Sequence, residues 1–182
     1  MLKKGNDRVR HQSGTTRFLI KPPLTAEKSM TLNQESSFLG KVPLFQELEP
    51  SRLKLLAFTS EMINFQDGEV LFKAGDAGDC AYVIMDGEVE IVSSVDEAAV
   101  VAVLQINQIF GELALLNDEP RSATLRAKGD LKVMKISESM FMELIRESPG
   151  LAMNVLRQLS QKLAVSHQQV ELLRGQLGGA AG

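Results

Sequence analysis

The sequence predicts a mainly β fold with flanking helices: an antiparallel β jelly-roll barrel followed by a short helix and a long C-terminal helix. Three observations lead there. Between about residues 68 and 137 the chain passes through short stretches rich in Val, Ile and Phe, punctuated by Gly and Asp, the pattern of strands joined by tight turns. On both sides of that region the apolar residues return to helical spacing. The length of 182 residues, with 44% hydrophobic and 24% charged residues, suits one domain with a single buried core plus extensions. Aromatics at 5% and the absence of Trp leave that core to Leu, Val, Ile and Met.

Taken in order, residues 1–34 mix Lys, Arg, Gly, Thr and the adjacent Pro22 and Pro23 without sustained periodicity, and are expected to be a basic, disordered tail. The barrel domain is assigned to 35–148. It opens with two short helical pieces, one carrying Phe38, Leu39, Val42 and Leu44, the other following Pro50 with Leu53, Leu55, Leu56 and Phe58. Then come the strand-like runs GEVLFKAG, DCAYVIMDGEVEIVSS, AAVVAVLQINQIFGELALL and RSATLRAKGDLKVMKIS, enough for seven or eight strands. Gly68, Gly75, Gly78, Gly87 and Gly111 fall near the ends of these runs, and Asp86-Gly87 reads as a hairpin turn.

After Ile136 the helical period returns, with Ser137 or Ser139 available as N-cap and Phe141, Leu144 and Ile145 on one face. Pro149 opens the long helix, assigned to 149–175. It fits a heptad with Leu156, Leu163 and Val170 at position a and Leu159, Ser166 and Leu173 at position d, which points to a homodimer seam. The polar Ser166 leaves open a helix packed on its own barrel. Residues 176–182 are expected to fray as a flexible tail.

Composition narrows the function classes. One cysteine, Cys80, excludes an internal disulfide, and with only His11 and His167 for imidazole ligands no metal site is expected. No run reaches the roughly 18 apolar residues of a membrane span, and no secretory signal stands at the start, so a cytoplasmic protein is expected. Residues 1–30 carry seven Lys or Arg against Asp7 and Glu27, a charge of +5 that leaves −8 for the remainder. A solvated tail accounts for this, with an anionic partner such as nucleic acid or a membrane surface as the alternative. No phosphate-binding loop of the nucleotide hydrolases, nucleophile–base set or paired carboxylates is apparent, so no enzymatic activity is expected.

The chemistry concentrates in residues 110–124, FGELALLNDEPRSAT. Gly111 stands where a strand gives way to a tight turn, and the following residues can form one helical turn whose free amides point the same way, a ready anion site. Arg121 offers a planar fork matched to phosphate oxygens. Glu112 can accept a hydrogen bond from a sugar hydroxyl. One acid, one arginine and a row of amides suit a sugar fused to a phosphate.

This segment resembles the phosphate-binding cassette of the cyclic nucleotide-binding domain superfamily, which includes catabolite activator proteins and the regulatory subunits of cAMP-dependent kinase. The matching residues are Phe110, Gly111, Glu112, Leu113, Ala114, Pro120, Arg121, Ala123 and Thr124. The resemblance implies that Glu112 binds the ribose 2'-hydroxyl, Arg121 the cyclic phosphate, and the amides near Leu113 and Ala114 complete the cradle. Gly111, Ser122 and Ala123 belong to the same expected ligand-binding set. Ser122 stands where relatives that prefer cGMP often carry Thr, so cAMP is favoured over cGMP. In the activator-type members the long helix offers hydroxyl residues to the base, which makes Ser166 and His167 candidate base contacts, although His167 departs from the hydroxyl pattern.

The resemblance implies a regulatory sensor that signals through ligand-dependent movement of its C-terminal helices, with no prosthetic group and with a downstream protein partner. After the long helix only GQLGGAAG remains, so a helix-turn-helix for DNA is not expected and the chain reads as a stand-alone member. The alternative is a dimerisation or adaptor module that keeps the fold and works without nucleotide.

Overall fold

A computed structural model describes residues 30–93 and 99–179, with the side chains of 169, 172, 173 and 175–179 left out of the description. Most of the basic tail, residues 1–29, and the final residues 180–182 lie outside it, as does the side chain of Leu173. The described chain begins before the expected boundary at residue 35. Helix α1, Leu32–Leu39, starts from a capping box: the Thr31 hydroxyl accepts from the Gln34 amide while the Gln34 side chain accepts from the Thr31 amide. The spacing of Thr31 and Gln34 was the signal for that earlier start.

A short 3-10 turn, Pro43–Phe45, buries Leu44 and Phe45. Helix α2, Pro50–Thr59, follows with proline in its first turn, where the missing N–H costs nothing. The strands are β1 (Glu61–Phe65), β2 (Val70–Phe72), β3 (Cys80–Val92), β4 (Val100–Leu104), β5 (Ile109–Phe110) and β6 (Thr124–Ser137). A six-residue helix, α3 (Glu112–Asn117), lies between β5 and β6, and α4 (Glu138–Glu147) and α5 (Pro149–Gly179) close the chain. Ser137 is the N-cap of α4, its hydroxyl accepting from the Met140 amide.

The fold is an antiparallel sheet of jelly-roll type with helices at its flank. Six strands form one sheet in the order β1-β6-β3-β4, with β2 also on β6 and β5 also on β3, every pair antiparallel. Six strands among the described residues replace the seven or eight expected. β1, which was not expected as a strand, pairs Glu61 to Phe65 with Lys135 to Leu131. Its five residues are mostly half exposed, so its sequence carries little apolar alternation.

The Asp86-Gly87 hairpin is corrected: both residues sit inside the 13-residue β3. The register against β6 shifts on both sides of Asp86, and Gly87 has φ +86 with a would-be Cβ colliding with the Asp130 carbonyl oxygen. A bulge and a hairpin turn make the same demand for a residue that tolerates positive φ and close backbone approach, so local sequence does not separate them.

The first half of β3, Cys80–Met85, is buried on both faces, which is why CAYVIM reads as a continuous apolar run. Ala81, Val83 and Met85 pack with Met134 and Ile136 of β6 against the helices, where Leu39, Phe45, Leu56, Phe141, Leu144 and Leu151 are almost fully buried. Cys80, Tyr82 and Ile84 face the other way, packing with Phe110, Leu125, Leu131 and Val133 inside the curved sheet. That inner layer floors the site.

Helix α5 is anchored by its first turns, which bury Leu151 and Val155. Farther along, Leu156, Leu163 and Val170, the expected a positions, are 56%, 72% and 42% exposed in the single chain. Leu159 at d is half-buried against the helical core. The helix runs past the expected end at Gly175 to Gly179, because glycine lowers helix propensity without forbidding the conformation. No helix among the described residues is long and apolar enough to cross a membrane.

Candidate functional site

The expected cassette folds as a strand, a left-handed glycine and one short helix. β5 ends at Phe110, Gly111 takes φ +80 as the N-cap of α3, and no side chain caps the α3 amides. Gly111 is required twice over. Its φ disfavours any side chain, and a Cβ there would stand 2.7 Å from Arg121 Nη1 and 3.3 Å from the Cys80 carbonyl oxygen. α3 ends at Asp118 in the left-handed region, with the Glu119 amide donating to the Ala114 carbonyl.

The chain then returns to deliver Arg121. Its backbone is pinned to the loop after β2: the Arg121 amide donates to Asp76 O at 2.8 Å, and the Gly75 amide donates to Arg121 O at 2.8 Å. The Thr124 hydroxyl accepts from the Ala74 amide at 3.0 Å, giving that cassette residue a structural task. Gly78 lets the same loop pass α3, since a Cβ would collide with that of Ala114.

The Arg121 side chain is almost fully buried. Nη1 donates to Cys80 O at 2.8 Å and to Gly111 O at 2.9 Å, and Nη2 donates to Cys80 Sγ at 3.2 Å. Asp79 Oδ1 lies 3.5 Å from Nη2. The guanidinium sits over the Phe72 ring, 4.4 Å from its centroid, and Phe72, Tyr82 and Phe110 form one aromatic stack beneath it. Nε is buried without a hydrogen-bond partner. A buried cationic donor left unmatched is costly, and an anionic oxygen is the acceptor that removes the cost.

Electrostatics around the arginine keep its neighbours in defined states. Burial pushes the Cys80 thiol above its usual range, and burial together with a hydrogen bond to Cys80 raises the Tyr82 phenol far above its own. A hydrogen bond from Cys80 holds the Asp79 carboxyl below the usual carboxylate range, helped by Lys135 and Arg121. At neutral pH the arginine therefore meets a neutral thiol, a neutral phenol and a charged carboxylate.

Glu112, in the first turn of α3, is 3% exposed. Its Oε1 accepts from Lys162 Nζ in a close ion pair that reaches across from α5. Sequence reasoning missed Lys162. Its signal was spacing: Lys162 precedes Ser166 by one helical turn, on the face already marked as a candidate for base contact.

These groups meet at one cavity of about 510 Å³, a size suited to a small ligand. Its walls include Gly111, Glu112, Leu113, Ala114, Arg121, Ser122 and Ala123, so the expected ligand-binding set is brought together. Phe72, Phe110 and Leu125 give an apolar side, while Gln158, Lys162, Val165 and Ser166 of α5 close over the top. His167 is exposed on α5 and is not part of the wall, because it lies about 100° round the helix from Ser166. Among the described residues no group of three or more His, Cys, Asp or Glu could hold a metal ion.

Comparison with known proteins agrees with this geometry. The family model "Cyclic nucleotide-binding domain" matches residues 62–148, which run from β1 through α4 and contain the whole cassette. The cAMP-dependent protein kinase regulatory subunit of Blastocladiella emersonii is 39% identical over 112 residues, covering 60% of this chain and 28% of the relative. Among solved structures, the regulatory domain of Toxoplasma gondii PKA with cAMP superposes with a TM-score of 0.62 at 26% identity, covering 73% of this chain and 49% of that one. A cyclic nucleotide-binding-like protein from Brucella abortus is 30% identical with a TM-score of 0.52, covering 62% of this chain and 97% of that one. The chain spans about a third or less of the length of the kinase regulatory subunits it matches. With the cassette, the sheet and the sequence all in agreement, the chain belongs to the cyclic nucleotide-binding domain family.

Proposed function

We propose that this protein is a cyclic nucleotide sensor, with cAMP favoured over cGMP, and not itself a catalyst. The observation that carries the reading is Arg121 Nε, a buried cationic donor without an acceptor in the wall of a cavity that also holds Glu112. A cyclic phosphate supplies the acceptor, the amides at the start of α3 face the same anion, and Glu112 takes the ribose hydroxyl. Ser122 and Ser166 border the remaining space and are the candidate groups for reading the base. The message passes through α5, whose residues roof the cavity, to a protein partner in a reducing cytoplasm.

Titration calorimetry tests this reading directly. The wild-type chain is expected to bind cAMP more tightly than cGMP, and Arg121→Ala to weaken cAMP binding by about 2 to 5 kcal/mol, the usual effect of truncating one member of a buried charge pair. Arg121→Lys, which keeps the charge but loses the fork, should recover only part of that loss. Absence of binding by the wild type at millimolar nucleotide removes the proposal.

A second reading has its own support. The a positions Leu156, Leu163 and Val170 form an exposed apolar stripe at heptad spacing along α5, which suits a homodimer seam. A dimerisation or adaptor module acting without nucleotide needs only that stripe.

A further inference from the structure

We infer that Lys162 is a specificity-determining residue of the nucleotide site: its ammonium competes with a ligand hydroxyl for the Glu112 carboxylate, and so tempers the preference that the carboxylate gives to ligands with a 2'-hydroxyl. The inference rests on reading the cavity as a cyclic nucleotide site and adds to it the group a ligand must compete with.

The two members of the ion pair differ in their access to water. The Glu112 side chain is 4% exposed and that of Lys162 is 42% exposed. A carboxylate closed off from water depends on a partner, whereas a half-exposed ammonium returns to water at small cost. Glu112 therefore needs some donor, and Lys162 is the donor that can leave. Both side chains border the same cavity, which puts the ammonium in the space where a sugar hydroxyl approaches the carboxylate. A hydroxyl that donates to Glu112 replaces one partner with another. A ligand lacking that hydroxyl has nothing to offer the carboxylate and leaves the ion pair closed.

The exchange also concerns α5. The helix is held near its start by buried Leu151 and Val155, while Leu163, Val165 and Ser166 farther along are exposed. Lys162 ties that outer part to α3, from 50 residues away in sequence. Giving up the tie to a ligand hydroxyl changes what holds the outer part of the helix, so the ribose subsite and the helix share one carboxylate.

The test measures calorimetric affinities for cAMP and 2'-deoxy-cAMP in the wild type, Lys162→Met and Lys162→Arg. Removing a positive charge weakens both anionic ligands alike, so the ratio of the two affinities isolates the hydroxyl. Lys162→Met is expected to raise the preference for cAMP over 2'-deoxy-cAMP by about two- to fivefold, the range for a partly exposed ion pair, and Lys162→Arg to keep the wild-type ratio. In the ligand-free protein, Lys162→Met should also speed amide hydrogen exchange over residues 160–168. A ratio that stays the same shows that the ammonium does not compete, and a ratio that falls shows that it assists the hydroxyl; either overturns the inference. If the wild type binds neither nucleotide, the sensor reading and the specificity role fail together. The exchange measurement then judges the tether alone, and unchanged exchange removes that as well.

Discussion

Arg121 shows how much a single side chain can be asked to do. Its terminal nitrogens hold the carbonyls of Cys80 and Gly111 and the Cys80 sulfur, its plane rests on Phe72, and Nε, which has no partner, is turned to a ligand's use. The guanidinium is thus oriented before any anion arrives, which reduces the ordering cost of binding. Gly111 is the counterpart of that arrangement. Gly111→Ala is expected to destabilise the fold by about 1 to 3 kcal/mol through positive φ and the collision with Arg121, and to weaken cAMP binding as the guanidinium shifts. Urea unfolding midpoints together with calorimetry would show both effects, and a variant as stable as the wild type would refute the steric argument. Cys80 offers a pH test at the same scale. A thiol whose folded pKa is raised stays protonated through the ordinary thiol range, and the stability linked to it is lost as pH rises from about 8.5 toward that folded value. Alkylation of Cys80 at pH 8 should therefore be slow in the native protein and fast in urea. Equal rates would mean that the thiol is neither buried nor raised.

Among the elements, α5 separates two modes of attachment. Its first turns bury Leu151 and Val155 in the helical core, and its outer part is left with polar ties and an exposed apolar stripe. Signalling through α5, as proposed, requires the outer end to move while the anchor stays in place, and this division of contacts suits that. If the stripe is a dimer seam, Leu156→Asp combined with Leu163→Asp should convert a dimer into a monomer in sedimentation while leaving the cavity residues untouched. A wild type that sediments as a monomer at high concentration, with or without cAMP, would rule out the seam. The strands are committed differently. β3 pairs with β4, β5 and β6, and its alternate residues serve the helical core and the inner layer at once.

For the molecule as a whole, the two cores meet across β3 and β6, so the helical layer and the site floor are mechanically continuous. Ala81 and Val83 face the helices while Cys80 and Tyr82, next to them in sequence, face Arg121 and its aromatic stack. Leu151, at 0% exposure, lies where α5 joins that helical layer. Leu151→Ala is expected to cost about 2 to 5 kcal/mol of global stability by opening a cavity, and to loosen α5 over the nucleotide site. Thermal unfolding with and without cAMP would measure both, with a smaller ligand-induced rise in midpoint as the sign of a loosened roof.

Much of this was legible in the sequence, and the reason is local. The cassette from Phe110 to Thr124 is one contiguous stretch, so Gly111, Glu112, Arg121 and their neighbours could be assigned from residue chemistry and resemblance. The helices after Ile136 announced themselves by period, and Ser137 by its place as a cap. Tertiary structure decided whatever depends on what a residue meets. Asp86-Gly87 became a bulge because the partner strand brings the Asp130 carbonyl against Gly87. β1 became a strand because β6 offers it a pairing edge that its own weak alternation did not advertise. Lys162 found Glu112 only because α5 folds back over α3, a meeting of groups 50 residues apart. Sequence by itself determined which groups could bind a sugar phosphate, since that follows from side-chain chemistry at short range. Which of those groups are buried and which already hold a partner are properties of packing, and only the folded chain sets them.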